Sequence, residues 1–110
     1  MSNTKLELLG IKYNFGLGFL NLMIDSEGKK LNELSSLDDV VLMPLVIFYG
    51  RAYACERDNV AINFTKKDII NYIEDNGGLF GEFFETISIF YIKAMTKDVP
   101  VEDKKKAVKK

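Results

Sequence analysis

The sequence predicts a mainly α-helical fold, a small domain of about four helices with a short N-terminal β-hairpin. Apolar residues recur at spacings of three and four over most of the chain, whereas alternation of apolar and polar residues is confined to residues 5–15. Ser or Thr followed three residues later by Asp precedes two of the apolar segments, as at helix starts. With 110 residues and a hydrophobic fraction of 47%, the chain can bury one core. We therefore expect a single domain over residues 1–96.

Residues 5–15, "KLELLGIKYNF", predict the hairpin, with its turn near Leu9-Gly10. The apolar side chains expected to share one face are Leu6, Leu8, Ile11, Tyr13 and Phe15. A two-stranded hairpin is marginally stable alone in water, so we expect it to lie against helices.

From Gly16 the apolar period changes and predicts a first helix, with Asn14 as its N-cap and Gly28 at its C-terminus. The "GLG" at residues 16–18 lacks the third glycine of a dinucleotide-binding fingerprint, and no Gly-Lys-Ser/Thr is present. We expect these glycines instead to let the first helical turn approach the hairpin closely, where a Cβ atom would intrude.

After "KKLNELSS", which reads as a loop, a second helix is predicted over residues 37–55, with Ser36 as its N-cap and Asp39 at the third helical position. Pro44 is expected to kink or divide this helix. The run from Val40 to Tyr49 is rich in Val and Ile and is also compatible with a buried strand, although its length favours a helix.

The third helix has the clearest start, with Thr65 as the N-cap and Asp68 at the third helical position. Phe64 and Ile69 stand where a hydrophobic staple closes around the cap. The predicted buried face is Ile69, Ile70 and Ile73, and Gly77-Gly78 end the helix after Asn76.

The last helix is predicted over residues 79–95. Its expected buried face consists of Phe80, Phe83, Phe84, Ile87, Phe90, Tyr91 and Ala94. Ile89 and Ile92 fall on the charged side, so they predict either a small apolar patch for a partner or a wider intramolecular interface.

The C-terminal residues 97–110 hold six Lys and three acids, a charge of +3, which leaves −4 for the rest of a chain whose net charge is −1. We expect a solvated, flexible tail. An acidic body is a poor nucleic-acid surface. A helix-turn-helix is also disfavoured, because Lys93 is the one basic residue of the last helix.

Several kinds of chemistry are excluded by composition. The chain has no His and one Cys, so it has no His-based triad, intramolecular disulfide or Cys-rich zinc site. Cys55 is expected to be a partly buried structural thiol. The acidic pairs Asp38-Asp39, Glu74-Asp75 and Glu82/Glu85 are interpreted as helix-end and surface charges. We expect no catalytic residue, cofactor or metal ligand.

The longest apolar run has ten residues, too few to cross a bilayer in a helix of about 20 residues. The N-terminus, "MSNTKLELLG", lacks the basic region and long apolar stretch of a signal peptide. We therefore expect a cytoplasmic protein without a membrane partner.

The order of these motifs resembles the small tail assembly chaperones of long-tailed bacteriophages and prophages. The stretches that carry the resemblance are "YNFGLGFLNLMIDSEG", "LVIFYGRAYACERDN" and "FTKKDIINYIEDNGG", and together with the hairpin they cover about Lys5 to Met95. The resemblance implies a non-enzymatic, mainly helical protein that binds the tape measure protein and keeps it soluble during tail assembly.

By helix-in-groove contact, such a chaperone would cover an amphipathic segment of its client. The residues we expect to contact the partner are Phe19, Tyr49, Tyr53, Ile89 and Ile92. Self-association is also possible for such a surface. Two other functions stay open at this point: an adaptor or inhibitor with another protein partner, and a small enzyme that uses carboxylates and a metal.

Overall fold

The computed structural model of the chain describes residues 4–96, and the predicted lysine-rich tail, residues 97–110, lies outside them. The predicted fold class is confirmed, since a two-stranded antiparallel hairpin precedes a helical body. Within the described residues there are five α-helices, and a 3-10 turn, Gly78–Phe80, precedes the last one. The elements are β1 (Lys5–Leu8), β2 (Ile11–Asn14), α1 (Leu17–Glu27), α2 (Leu31–Ser35), α3 (Asp39–Arg57), α4 (Lys66–Asp75) and α5 (Glu82–Thr96).

The hairpin has the predicted turn and register. Leu9 and Gly10 both have positive φ, 54° and 78°, as the two central residues of a type I′ turn do. Leu6 pairs with Tyr13 and Leu8 with Ile11, so these side chains share one face. That face packs against the core, and β2 contacts α3.

Helix α1 ends as predicted but starts differently. Gly28 has a φ of 67° and its N–H donates to the Ile24 carbonyl at 3.0 Å. The N-cap is Gly16, not Asn14. The amide oxygen of Asn14 accepts a hydrogen bond from the Gly16 N–H at 3.0 Å, so Asn14 orders the turn before the helix.

The two glycines of "GLG" have different neighbours. A Cβ atom at Gly16 would lie 3.2 Å from the side-chain oxygen of Asn14, in β2. The first helical turn therefore lies close to the hairpin at Gly16, as predicted. A Cβ atom at Gly18 would instead overlap the ring of Tyr53 in α3. The prediction was therefore wrong for Gly18, because its close neighbour is another helix.

The predicted loop "KKLNELSS" contains α2. A carboxylate oxygen of Glu33 accepts the Lys30 N–H at 2.8 Å at the start of this short helix, and Leu34 is fully buried beneath it. The Ser36 hydroxyl donates to the Glu33 carbonyl at 2.8 Å. Ser36 therefore closes α2 rather than capping α3, whose N-cap is Asp38.

Helix α3 is central and continuous. It runs through Pro44 without division and extends to Arg57, two residues beyond the predicted end. The run from Val40 to Tyr49 is helical, which excludes the strand interpretation. Its sides contact β2, α1, α4 and α5, so an apolar surface almost all round suits its position.

Helix α4 begins as predicted. The Thr65 hydroxyl accepts the Asp68 N–H at 3.1 Å, and the Asp68 carboxylate accepts the Thr65 N–H at 2.9 Å, which completes a capping box. Phe64 and Ile69 are both buried, as the staple predicts. The predicted buried face was wrong at Ile70, which is 45% exposed.

In the core, aromatic rings connect the end of the hairpin with α1 and α5. The Phe15 ring centroid lies 5.1 Å from that of Phe19 and 6.0 Å from those of Phe90 and Tyr91. On α5, Phe83, Ile87 and Ala94 are buried as predicted. Edge-on contacts of this kind add directional packing to the burial of apolar area.

Candidate functional site

Of the residues expected to contact a partner, Phe19 lies deepest. Its side chain is fully buried, and its ring packs edge-on against Phe15 and Tyr91, 6.1 Å from the latter. Phe19 lies on the face of α1 that packs against the aromatic core. In this arrangement Phe19 contacts the rest of the protein rather than solvent.

Tyr49 on α3 is also buried, and it belongs to a polar network between helices. Its hydroxyl donates to a carboxylate oxygen of Glu27 at 2.6 Å. The same oxygen accepts a hydrogen bond from the ammonium group of Lys66, which also lies 5.6 Å from the centroid of the Tyr49 ring. The network thus connects the end of α1, the middle of α3 and the start of α4.

The electrostatics of this network follow from its geometry. Burial and the hydrogen bond to Glu27 raise the pKa of the Tyr49 phenol. Partial burial acts to raise the pKa of the Glu27 carboxyl, but the hydrogen bonds from Lys66 and Tyr49 outweigh it, so this pKa lies below its usual value. The hydrogen bond to Glu27 raises the pKa of Lys66. The shifts of Glu27 and Lys66 favour their ion pair, and the raised pKa of Tyr49 keeps its phenol protonated as a hydrogen-bond donor.

Tyr53 lies one helical turn after Tyr49 and is half-buried. Its ring covers Gly18 and forms one wall of an open depression between α1 and α3. Leu22, Asp25 and Glu56 line the same depression. The side chain is accessible from this side, where acidic groups surround it.

Ile89 and Ile92 on α5 are the two predicted contact residues that lie at the surface, with 47% and 56% of their side chains exposed. They stand three residues apart, so they share one face of the helix. The other side of α5 holds Ile87 and Ala94 in the core. The structure thus brings Ile89 and Ile92 together, and it does not bring Phe19, Tyr49 or Tyr53 to the same surface.

The most exposed apolar side chain of the described residues was assigned to the core by sequence reasoning. Phe80 is 98% exposed, because the chain leaves the helical path at Gly81, which is extended at φ −82° and ψ 160°. A Cβ atom at Gly81 would lie 2.7 Å from the Cα of Gly77, so the turn is packed against the end of α4. Glycines stand on both sides of Leu79-Phe80, and this pattern in the sequence argues against a continuous helix there.

Gly78 and Leu79, which precede Phe80, contribute to an apolar groove, which we call the α3–α4 groove. It has a volume of about 240 Å³ and lies between α3, α4, the 3-10 turn and the start of α5. Its lining comprises Val40, Pro44, Ile70, Ile73, Glu74, Gly78, Leu79 and Phe84. Val40, Ile70 and Leu79 are exposed at its mouth. Sequence reasoning missed this groove, because its walls come from segments far apart in the chain.

A second cleft is mixed in charge. A cavity of about 380 Å³ between the hairpin and the end of α3 contains the ion pair between Lys12 and Asp58, at 3.7 Å. Cys55 is partly buried, as expected, and packs against the core. Among residues 4–96 no three His, Cys, Asp or Glu side chains are grouped closely enough to hold a metal ion.

The described helices include none with the length and apolar character that crossing a bilayer requires. In comparisons with known proteins, no protein-family model, curated sequence or solved structure matches this chain.

Proposed function

We propose that this protein is a non-enzymatic phage tail assembly chaperone, which binds the tape measure protein in the host cytoplasm and keeps it soluble while the tail is assembled. One observation carries the proposal: Ile89 and Ile92 form an exposed apolar pair on a helix whose opposite side is fixed in the core. The resemblance of the sequence motifs to this class of chaperones supplies the identity of the client.

The pair suits an anchor within a larger contact with an amphipathic helix. Covering the exposed part of each isoleucine would contribute on the order of 1 kcal/mol, whereas a complex of micromolar affinity needs about 8 kcal/mol. Glu85 precedes the pair by one turn, and Lys93 follows it directly, so polar groups border the apolar contact. We therefore expect the client to make further contacts around the pair.

Co-expression with the longest coiled-coil-rich product encoded next to this gene tests the proposal. We expect the long partner to become soluble and to co-purify with the protein. The double variant Ile89→Asp with Ile92→Asp should abolish co-purification while its circular dichroism and melting temperature stay close to those of the native chain. Ile89→Gln with Ile92→Gln provides a milder second variant.

A matched control changes two exposed apolar residues elsewhere. Val60 and Ile62 lie in the segment between α3 and α4 and are 56% and 45% exposed. Val60→Asp with Ile62→Asp adds the same charge and should leave co-purification intact. If the long partner stays insoluble and an unbiased pull-down recovers a different protein through Ile89 and Ile92, the protein is an adaptor or inhibitor instead.

A further inference from the structure

We propose that the α3–α4 groove is a second docking site, which binds an amphipathic peptide helix with aliphatic anchor residues and flanking Lys or Arg. This inference goes beyond the proposed function, because the groove shares no residue with the Ile89–Ile92 pair and does not depend on the identity of the client.

Two helices contribute the walls of the groove. Val40 and Pro44 stand one turn apart on α3, and Ile70 and Glu74 stand one turn apart on α4, so each helix contributes a pair of side chains on one face. Ile73, nearly fully buried, lies at its base. Leucine or isoleucine side chains spaced by three and four residues on a partner helix would enter between these rows.

Three of the lining side chains are exposed at the mouth of the groove. The relative exposures are 55% for Val40, 45% for Ile70 and 49% for Leu79. Exposed apolar side chains gathered around one groove are typical of an interaction surface.

Charge decides which partner fits. Glu74 lines the groove, and Asp38 and Asp39 directly precede Val40. All three of these acids are exposed. This rim favours a partner whose apolar face is bordered by positive charges.

The basic residues nearby do not cancel this charge. Two lysines lie within one helical turn of a lining residue. Lys66 donates a hydrogen bond to Glu27 on α1, so Lys67 is the lysine that remains to offset the acids near Ile70. A second copy of the chain is disfavoured as the occupant, because a two-fold contact would place the same acids opposite one another.

Binding of two designed peptides tests the proposal. Both are 18-residue helices with leucine at spacings of three and four. One carries lysine beside the leucines, and the other carries glutamate at the same positions. Fluorescence anisotropy with the full chain at low salt should show the lysine peptide binding at least tenfold more tightly, and this advantage should shrink as salt is added.

Variants locate the site. Ile70→Gln changes an exposed side chain that lines the groove, so the protein should stay folded while the affinity for the lysine peptide falls at least tenfold. Glu74→Gln should reduce the preference for lysine over glutamate. Leu17→Ala, which truncates an exposed apolar residue on α1, should leave the affinity unchanged, as should Ile89→Gln with Ile92→Gln.

Equal binding of the two peptides would overturn the proposal, as would an unchanged affinity of Ile70→Gln. Sedimentation of the native chain gives a further check. A dimer that Ile70→Gln dissociates would show that a second copy occupies the groove, and this would also overturn the proposal. Ile70→Gln leaves the Ile89–Ile92 pair unchanged, so a negative result at the groove does not affect the test of the chaperone function.

Discussion

Gly18 on α1 lies so close to Tyr53 on α3 that a Cβ atom at Gly18 would overlap the Tyr53 ring. This explains the glycine pair near the N-terminus, since the second glycine lets α1 lie directly against an aromatic side chain of α3. Because the overlapping atoms are at the outer end of a half-buried side chain, the Tyr53 ring can yield.

This contact predicts coupling between the two positions. In a Tyr53→Ala background, Gly18→Ala should stabilise the protein by about 0.5 kcal/mol, since alanine is the better helix former. In the native background the gain should vanish or reverse, because the ring has to move. Urea unfolding of the four proteins in the cycle measures the coupling, and an equal effect of Gly18→Ala in both backgrounds would contradict it.

The Glu27–Tyr49–Lys66 network predicts loss of stability in acid. The pKa of Glu27 is lower in the folded protein than its usual value, so its contribution is present above about pH 4.5 and is lost as pH falls through the lowered value. Glu27→Gln should cost about 1 kcal/mol at pH 7 and flatten the decline below pH 4.5. Thermal unfolding between pH 3 and 7 measures this, with Glu56→Gln as the control. A decline of the same steepness in Glu27→Gln would show that other groups cause it.

The capping box of α4 predicts that Thr65 contributes more to stability than an exposed serine elsewhere. Thr65→Ala should lower the free energy of unfolding by about 1 kcal/mol, because it removes the acceptor for the Asp68 N–H. Ser36→Ala is the control, since its hydroxyl donates to the Glu33 carbonyl in an exposed setting, and it should cost less than about 0.5 kcal/mol. Equal losses in chemical denaturation would exclude a special role for the Thr65 cap.

For Ser88 on α5, we predict that removal of the side-chain hydroxyl does not lower the free energy of unfolding. Its hydroxyl oxygen is shielded from solvent and has no hydrogen-bond partner among the described residues. Ser88→Ala should be neutral or should stabilise by up to about 1 kcal/mol, because it removes an unsatisfied polar group and improves helix propensity. The comparison is Ser35→Ala, whose hydroxyl donates to the Leu31 carbonyl. A clear loss of stability in Ser88→Ala would show that its hydroxyl has a partner in solution.

Local sequence determined much of the fold. The hairpin turn at Leu9-Gly10, the Thr65–Asp68 capping box and the left-handed Gly28 depend on interactions within a few residues, so the pattern sufficed to predict them. The exposure of Ile89 and Ile92 was predictable for a similar reason. A long helix with one strongly apolar side places its remaining positions toward solvent.

The tertiary structure alone decided the rest. Phe80 and Ile70 have the chemistry of core residues, and they are exposed because the turn at Gly81 and the packing of α4 direct them away from the core. Tyr49 was expected to contact a partner, yet it is buried and its hydroxyl donates to Glu27, 22 residues earlier in the chain. Helical periodicity fixes the side of its own helix on which a residue lies, but not what covers that side. Burial depends on which distant elements pack there, and the α3–α4 groove exists only once four separate segments have come together.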